Sequence, residues 1–163
     1  SLHCLQYQDM KRKFKFGDDW WTTPTESEDG KYQIIVTGRR GLEEAMESKE
    51  FNERIEVTWK YDALENGMPT LEDSLLMGKV NDAILAAFKK EQSAVVTGIY
   101  TGGGERNWIF YARNTAHFQY AFNKALNSFD VLPLSIYAEK DPDWAEYNEM
   151  KDFTETAPIT DKY

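Results

Sequence analysis

The sequence predicts an α+β domain of ferredoxin-like plan, with elements in the order β-α-β-β-α-β and an added N-terminal β-hairpin. Three observations predict it: strict alternation over 55–61, two segments with helical spacing of apolar residues, and two glycine turns that each join β-rich segments. In this plan two helices cover one face of an antiparallel sheet, with the first and third strands central. The other face is expected to be open.

Composition fits one globular domain and excludes several classes of function. The chain has 163 residues, 41% hydrophobic and 14% aromatic, which is enough for a core without disulfides or metals. With 19 Lys and Arg against 28 Asp and Glu, its net charge of −9 disfavours a nucleic-acid partner. The single cysteine fits a reducing, cytoplasmic location. No apolar run reaches the roughly 18 residues of a membrane helix.

Residues 1–50 are predicted to form an arm and a hairpin. The first residue, Ser1, indicates a trimmed N-terminus, with any targeting segment out of view. A solvated lead-in is favoured over an acidic partner or a membrane surface for the basic arm Lys11, Arg12, Lys13 and Lys15. The hairpin runs from Trp20 to Gly38 around an Asp29-Gly30 turn. The acidic segment 42–49 predicts a short surface helix.

Residues 51–150 contain the predicted ferredoxin-like unit, and 151–163 are assigned to a C-terminal tail of the same compact body. The alternating strand 55–61 is followed by Thr70 and Asp73, which predict an acidic capping box at a helix start. The apolar stripe of this helix is predicted to be Leu71, Leu75, Leu76, Val80, Ile84, Ala87 and Phe88.

A second hairpin and a second helix complete the unit. Strands are predicted at 94–101 and 106–113, joined at Gly102-Gly103-Gly104. Either Asn114 or Thr115 is expected to cap the following helix, whose apolar face is Phe118, Ala121, Phe122, Ala125 and Leu126. The segment 134–140 predicts the last strand.

Motifs for covalent or zinc chemistry are scarce. The available soft or imidazole ligands are His3, Cys4 and His117, fewer than a zinc site requires with suitable spacing. The glycine run lacks the Lys-Ser/Thr of a nucleotide loop and leads into a strand, so a hairpin tip is favoured over a phosphate cradle. No catalytic residue and no cofactor is predicted.

Carboxylates are the remaining candidates for a hard-metal site. Asp18, Asp19, Asp141 and Asp143 are the weak candidate ligands for Mg²⁺ or Ca²⁺. For the second pair, helix capping is favoured, because Asp141-Pro142-Asp143 has the composition of a helix start with Pro142 at its first position. Trp144 and Tyr147 are then expected to pack that helix against the sheet.

Aromatic side chains offer another possible surface. Alternation places Trp108, Phe110 and Ala112 toward the helices, and Ile109 and Tyr111 on the opposite face, where Tyr137 joins them. Such rings stack bases in RNA-recognition modules, but the basic surround is missing. A covering hairpin or partner chain is favoured instead.

The chain carries a family resemblance over roughly residues 18 to 150, and the last third of this range is its distinctive part. The run Arg106-x-Trp108-Ile109-Phe110-Tyr111 and the run from Leu132 through Asp141-Pro142-Asp143-Trp144 to Tyr147 resemble the signature of domain-of-unknown-function family 695. The resemblance implies a compact bacterial α+β domain, related at fold level to the regulator of ribonuclease E activity B, which inhibits by binding. No catalytic residues come with it. The candidate surface or binding residues are Arg106, Trp108, Tyr111, Tyr137, Asp141, Trp144 and Tyr147, which fit a structural seam equally well.

The function predicted from these observations is a non-enzymatic interaction or regulatory module that meets a protein partner of basic surface with an open sheet face or edge. A hard-metal, carboxylate-dependent hydrolase is the alternative. A third hypothesis is small-ligand or single-stranded nucleic-acid binding on an aromatic sheet face. For a small ligand it requires a concave apolar pocket formed by the tryptophans Trp20, Trp21, Trp59, Trp108 and Trp144. Oligomeric state is left open.

Overall fold

A computed structural model describes residues 13–155, which adopt the predicted α+β class around one six-stranded antiparallel sheet. The strands are β1 (Trp20–Glu26), β2 (Gln33–Arg39), β3 (Glu53–Lys60), β4 (Ala94–Gly102), β5 (Glu105–Ala112) and β6 (Leu134–Lys140). The helices are α1 (Glu43–Ser48), α2 (Leu71–Lys90), α3 (Thr115–Ala125) and α4 (Ala145–Thr154). The strand order β1-β2-β4-β5-β3-β6 makes β1 and β6 the edges and places β3 beside β5.

Turns and helix caps follow the sequence closely. Gly30 turns β1 into β2 with φ of 70°, and the three glycines between β4 and β5 all have positive φ. At the first of them, Gly102, a Cβ would lie 2.4 Å from the Gln33 carbonyl oxygen, so only glycine fits. The Thr70 hydroxyl accepts the Asp73 N–H, and the Asn114 side chain, not Thr115, caps α3 by accepting the His117 N–H.

One face of the sheet, the first face, lies under α2 and α3. Val57, Trp108 and Phe110 point into this layer, where rings of both helices surround Phe110 at centroid distances of 4.9 to 6.1 Å. The predicted inward set of Trp108, Phe110 and Ala112 is confirmed, since each is 0% exposed. The main core therefore lies where the alternation of β3 and β5 predicts it.

The apolar stripe predicted for α2 is wrong in its first two turns. Leu71, Leu75 and Leu76 are 77%, 62% and 36% exposed. The buried stripe is Met77, Val80, Ile84 and Phe88. Both sets have helical spacing, and the position of the sheet decides which of them is covered.

The opposite face, the second face, is covered over part of its width, which corrects the expectation of an open face. Helices α1 and α4 and the segment before β1 pack over a cluster that includes Trp21, Val36, Val95, Ile109 and Tyr111. Phe14 is only 5% exposed there, so the predicted solvated arm contributes a core residue. Ala45 is also buried, so the predicted surface helix α1 buries one side. Lys11 and Arg12 lie outside the described residues.

Two areas of the sheet are left without a helix above them. On the first face the area lies over β1 and β2, where Thr22 and Pro24 are exposed. On the second face it lies over β3 and β6. Helix α4 extends through Thr154, four residues into the segment assigned to the tail, and 156–163 lie outside the described residues. Within the described range, no helix has the length and apolar character to cross a membrane.

Candidate interaction surfaces

Four of the predicted site residues meet beneath α4. The Tyr111 ring on β5 stacks on Trp144 at 4.4 Å, and Trp144 meets Tyr147 edge-on at 5.3 Å. The Tyr111 hydroxyl donates to Asp141 Oδ2 at 2.6 Å and accepts the Tyr147 N–H at 3.2 Å. We call Tyr111, Asp141, Trp144 and Tyr147 the α4 seam. Because all four are buried, they join the last helix to the sheet and form no exposed surface.

The Asp141 carboxylate caps α4, although Asp141 precedes the first helical residue, Ala145, by several positions. Its carboxylate accepts the N–H groups of Ala145 and Glu146 at 2.8 and 3.0 Å. Helix α4 begins at Ala145, so the prediction that Pro142 occupies its first position is wrong. The capping role predicted for Asp141 is nevertheless present, because the intervening turn brings the carboxylate back to the exposed amides of the first turn.

Trp144 occupies a strained backbone position within that turn. Its φ of 55° and ψ of 39° place a bulky residue in the left-handed region. The indole N–H donates to the Phe51 carbonyl at 2.8 Å, and the side chain is 1% exposed. Packing and this hydrogen bond hold the strained conformation.

The ionisable groups of the α4 seam have shifted pKa values. Burial, then the bond to Asp141 and its charge, raise the pKa of the Tyr111 hydroxyl far above its usual value. Burial acts to raise the pKa of Asp141, but hydrogen bonds from Tyr111 and the α4 amides, with the charge of Arg54, hold that pKa below its usual value. A neutral phenol and an ionised carboxylate are therefore favoured across a wide pH range, which suits a structural link.

Arg106 and Trp108 lie on the first face, away from the α4 seam. The guanidinium stacks over the Trp108 ring at 5.8 Å and its Nε–H donates to the Thr101 hydroxyl at 2.9 Å. The Trp108 indole donates to the Asn81 side chain at 3.0 Å. The seven predicted site residues thus fall into separate groups on both faces.

The four candidate metal ligands do not form a cluster. Asp18 accepts the Trp20 indole N–H, Asp19 pairs with Arg40, and Asp143 pairs with Lys49. Asp141 is engaged by Tyr111 and α4. Across 13–155 no three His, Cys, Asp or Glu side chains are grouped as metal ligands would be. His117 is exposed on α3, and His3 and Cys4 lie outside the described residues.

Tyr137 is the predicted site residue that lies on open sheet. Its side chain is 58% exposed on β6, and it faces Glu56 of β3 in the sheet register. Around it on the second face are Arg54 and Glu139, and Glu146 and Glu149 of α4 lie near Tyr100 of β4 on the same face. We call Glu56, Tyr137, Glu139, Glu146 and Glu149 the acid-rich half-face.

Charges on this half-face act on one another. Arg54 bonds Glu56 at 3.4 Å and lies 3.7 Å from Glu139. Burial raises the pKa of neighbouring Tyr100 to about 12, with Arg54 opposing the rise and Glu146, Glu56 and Glu149 adding to it. Two carboxylates, Glu56 and Glu139, therefore contact the Arg54 guanidinium, and two more, Glu146 and Glu149, lie near Tyr100.

The free side of β6 borders a cleft on the first face. The Asp141 N–H donates to the Asn52 carbonyl, which continues the β3–β6 ladder. By the alternation of an antiparallel pair, the backbone groups of Ile136 and Ala138 then point away from β3. Beside them lies a cleft of about 320 Å³ between α3 and β6, lined by residues that include Phe122, Leu126, Leu134 and Ile136. The sequence analysis did not predict this cleft, although Leu134 and Ile136, two positions apart on one strand, indicate an apolar face at this edge.

Comparison with known proteins agrees with the family resemblance of the sequence. A family model described as a family of unknown function, DUF695, matches residues 19–150. The chain belongs to this family. Members of DUF695 carry no established activity in that description, and no curated protein matches the chain. The matched range includes β1, the edge strand β6 and all four residues of the α4 seam, and it ends within α4.

Proposed function

We propose that this DUF695 protein is a non-enzymatic interaction module, which binds a protein partner of basic surface at edge strand β6 and the acid-rich half-face. The observation that carries the proposal is the contrast between the two sheet edges. Edge β1 contains Pro24, a residue that blunts an edge because it offers no N–H. Edge β6 contains no proline and exposes Ile136 at 47% and Tyr137 at 58%.

Charge supports a basic partner. The acid-rich half-face carries four carboxylates, of which Glu56 and Glu139 contact the guanidinium of Arg54, in a chain of net charge −9. Complementary potential of this kind speeds encounter and rejects acidic partners more than it adds affinity. A partner strand that pairs with β6 would place alternate side chains over the cleft beside α3 and over these carboxylates.

The fold proposed for the unit agrees with this arrangement. We assign β3, α2, β4, β5, α3 and β6 to a ferredoxin-like unit, because their strand order β6-β3-β5-β4 and their all-antiparallel pairing match that plan. The β1–β2 hairpin then extends it at β4 and leaves β6 as the unit's free edge. One compact body, with the hairpin in residues 1–50 and the unit in 51–150, is the corresponding domain organisation.

Base stacking by the central strand receives no support from the geometry. Ile109 and Tyr111 are 3% and 0% exposed beneath α4, so their faces are covered. The separation of the candidate carboxylates among different partners likewise favours binding over the hydrolase alternative.

Capture from a bacterial lysate with matched edge variants tests the proposal. Ile136→Lys places a charge within β6, and Thr25→Lys places one on β1, near the end of that strand, as the control. We expect a protein that the wild type and the β1 variant retain, that Ile136→Lys and Glu139→Lys lose, and that elevated salt weakens. The purified partner must then bind the wild type directly. Identical captures by all four proteins at both salt concentrations would overturn the proposal.

A further inference from the structure

A second concave site lies at the opposite side of the sheet from β6. It is a cleft of about 570 Å³ between the C-terminal half of α2 and the segment that precedes β1. Its apolar walls are Phe14, Phe16, Leu85, Phe88 and Val96. We call it the Arg39 cleft. The volume is within the range of sites that hold small molecules, and the walls would cover an apolar body.

Arg39 supplies a fixed cation in this cleft. Its Nε–H donates to the Gly17 carbonyl at 2.6 Å and one terminal N–H donates to the Val96 carbonyl at 3.3 Å. The guanidinium also lies 5.1 Å from the Trp20 ring centre. These contacts use part of its five N–H groups and orient the remainder.

The next arginine in the chain shows what is unusual about Arg39. Arg40 pairs with Asp19 and Glu155 at 3.4 and 2.8 Å. Arg39 has no carboxylate within 4.0 Å among residues 13–155, although the chain carries 28 Asp and Glu. Burial lowers the pKa of Arg39, against the charge of Asp18, but an arginine remains charged at neutral pH. The cleft thus contains a partly desolvated cation that lacks an ionic partner.

The other charged groups of the cleft leave this cation uncompensated. Lys89 of α2 stands exposed at the rim and adds a second positive charge. Asp18 adds one negative charge and is engaged by the Trp20 indole N–H at 3.1 Å. Two cations and one carboxylate give the cleft a charge of +1 within a molecule of −9.

We propose that the Arg39 cleft binds a small carboxylate with an apolar body, whose anionic end meets Arg39 and Lys89 while its hydrocarbon or aromatic part lies against the partly exposed side chains of Phe16 and Leu85. A guanidinium donates to a carboxylate in well-aligned, charge-assisted hydrogen bonds. The apolar walls favour such a ligand over a small inorganic anion, which would leave them uncovered. The site is independent of the proposed protein-binding surface, because β3, β6 and α4 contribute nothing to its lining.

Titration of the whole protein with decanoate, below the concentration at which it forms micelles, tests the ligand class. Decan-1-ol and decyltrimethylammonium are matched probes with the same chain and a neutral or cationic end. We expect decanoate to bind at least about 10-fold more tightly than either, because only its carboxylate is an anionic acceptor for Arg39 and Lys89, whereas the hydroxyl of decan-1-ol accepts a weaker bond and the ammonium accepts none. The ¹⁵N-detected signal of the Arg39 Nε–H should shift with decanoate alone. Equal binding of all three probes, or no shift at Arg39, would overturn the proposal.

Cleft variants locate the binding without removing a core residue. Ala86→Trp fills the cleft from an exposed position of α2 and is expected to weaken decanoate binding at least about 10-fold. Lys89→Glu reverses the rim charge and is expected to weaken it about 3-fold or more, with Lys90→Glu as the control because Lys90 is equally exposed but does not line the cleft. If Lys89→Glu and Lys90→Glu lower affinity equally, or if Ala86→Trp has no effect, decanoate binds elsewhere and the assignment is wrong.

Discussion

Tyr111 and Tyr137 project from the same face of one sheet, and each hydroxyl donates to a carboxylate, yet their surroundings are opposite. Tyr111 is 0% exposed and bonds Asp141 at 2.6 Å. Tyr137 is 58% exposed and bonds Glu139 at 3.2 Å. The difference is the presence of α4 above β5 and its absence above β6. The same type of contact, a tyrosine hydroxyl bonded to a carboxylate, is therefore a structural link in one half of the face and part of an open surface in the other.

The largest effect is expected where α4 is fastened to the sheet. Trp144→Ala should lower the free energy of unfolding by about 3–5 kcal/mol, as for other buried aromatic truncations. Trp144→Gly should cost about 1 kcal/mol less than Trp144→Ala, because glycine relieves the left-handed backbone strain. Urea unfolding of the two variants measures both values. A reverse order of the two variants would show that the backbone at 144 is not strained in solution.

Removing each tyrosine hydroxyl compares the two halves of the face directly. Tyr111→Phe should lower the free energy of unfolding by about 1–3 kcal/mol, because Asp141 loses a donor in a buried site. Tyr137→Phe should leave the unfolding midpoint unchanged, because water replaces the tyrosine hydroxyl as the partner of the exposed Glu139 carboxylate. Thermal or urea unfolding checks the pair. An equal decrease in the free energy of unfolding in both variants would mean that α4 does not exclude water from Tyr111.

The pH dependence of stability should identify Asp141 as an ionised cap. Because its pKa is lowered in the folded state, its contribution is fully present above about pH 4, the usual unfolded value, and is lost as the pH falls through the lower folded pKa. Asp141→Asn should be less stable than the wild type by about 1 kcal/mol at neutral pH, because both carboxylate oxygens accept hydrogen bonds and an amide nitrogen in place of one of them cannot.

The wild-type advantage over Asp141→Asn should stay constant from pH 7 to about pH 5 and shrink below about pH 4. Urea unfolding across this range supplies the curve. An advantage that persists unchanged at lower pH would show that charge on Asp141 is not what stabilises α4.

The smallest effect concerns the exposed tyrosine. The pKa of Tyr137 is raised chiefly by its hydrogen bond to Glu139 and by that carboxylate's charge. Glu139→Gln should therefore lower the pKa of Tyr137, whereas the pKa of Tyr111, raised chiefly by burial, should stay high. NMR titration of the two ring signals distinguishes them. If Glu139→Gln leaves the pKa of Tyr137 unchanged, the hydrogen bond between Tyr137 and Glu139 does not form in solution.

Features that depend on near neighbours in the chain were predicted well. The Thr70 cap, the glycine turn at 102–104 and the alternation of Trp108 with Ile109 all formed as expected. Features that depend on which side of an element meets another were predicted poorly. Leu71 and Leu75 fit a helical stripe but lie beyond the reach of the sheet. Asp141 caps α4 through a turn whose strained residue, Trp144, nothing in local composition indicates.

By itself, the sequence determined the strands, the turns and the start of the two long helices, because alternation, positive-φ glycines and cap residues act within a few positions. Only the tertiary structure decided which sheet areas are covered. The covers of the second face come from three separate parts of the chain, Phe14 before β1, helix α1 after β2 and helix α4 after β6. The first and last of them are placed by long-range contacts, such as the bond from the Phe14 N–H to the Gln92 side chain, 78 positions away, and the bond from the Trp144 indole to the Phe51 carbonyl, 93 positions away. That long-range packing leaves β6 and the Arg39 cleft uncovered. No local sequence pattern predicts this outcome, because the packing joins distant parts of the chain.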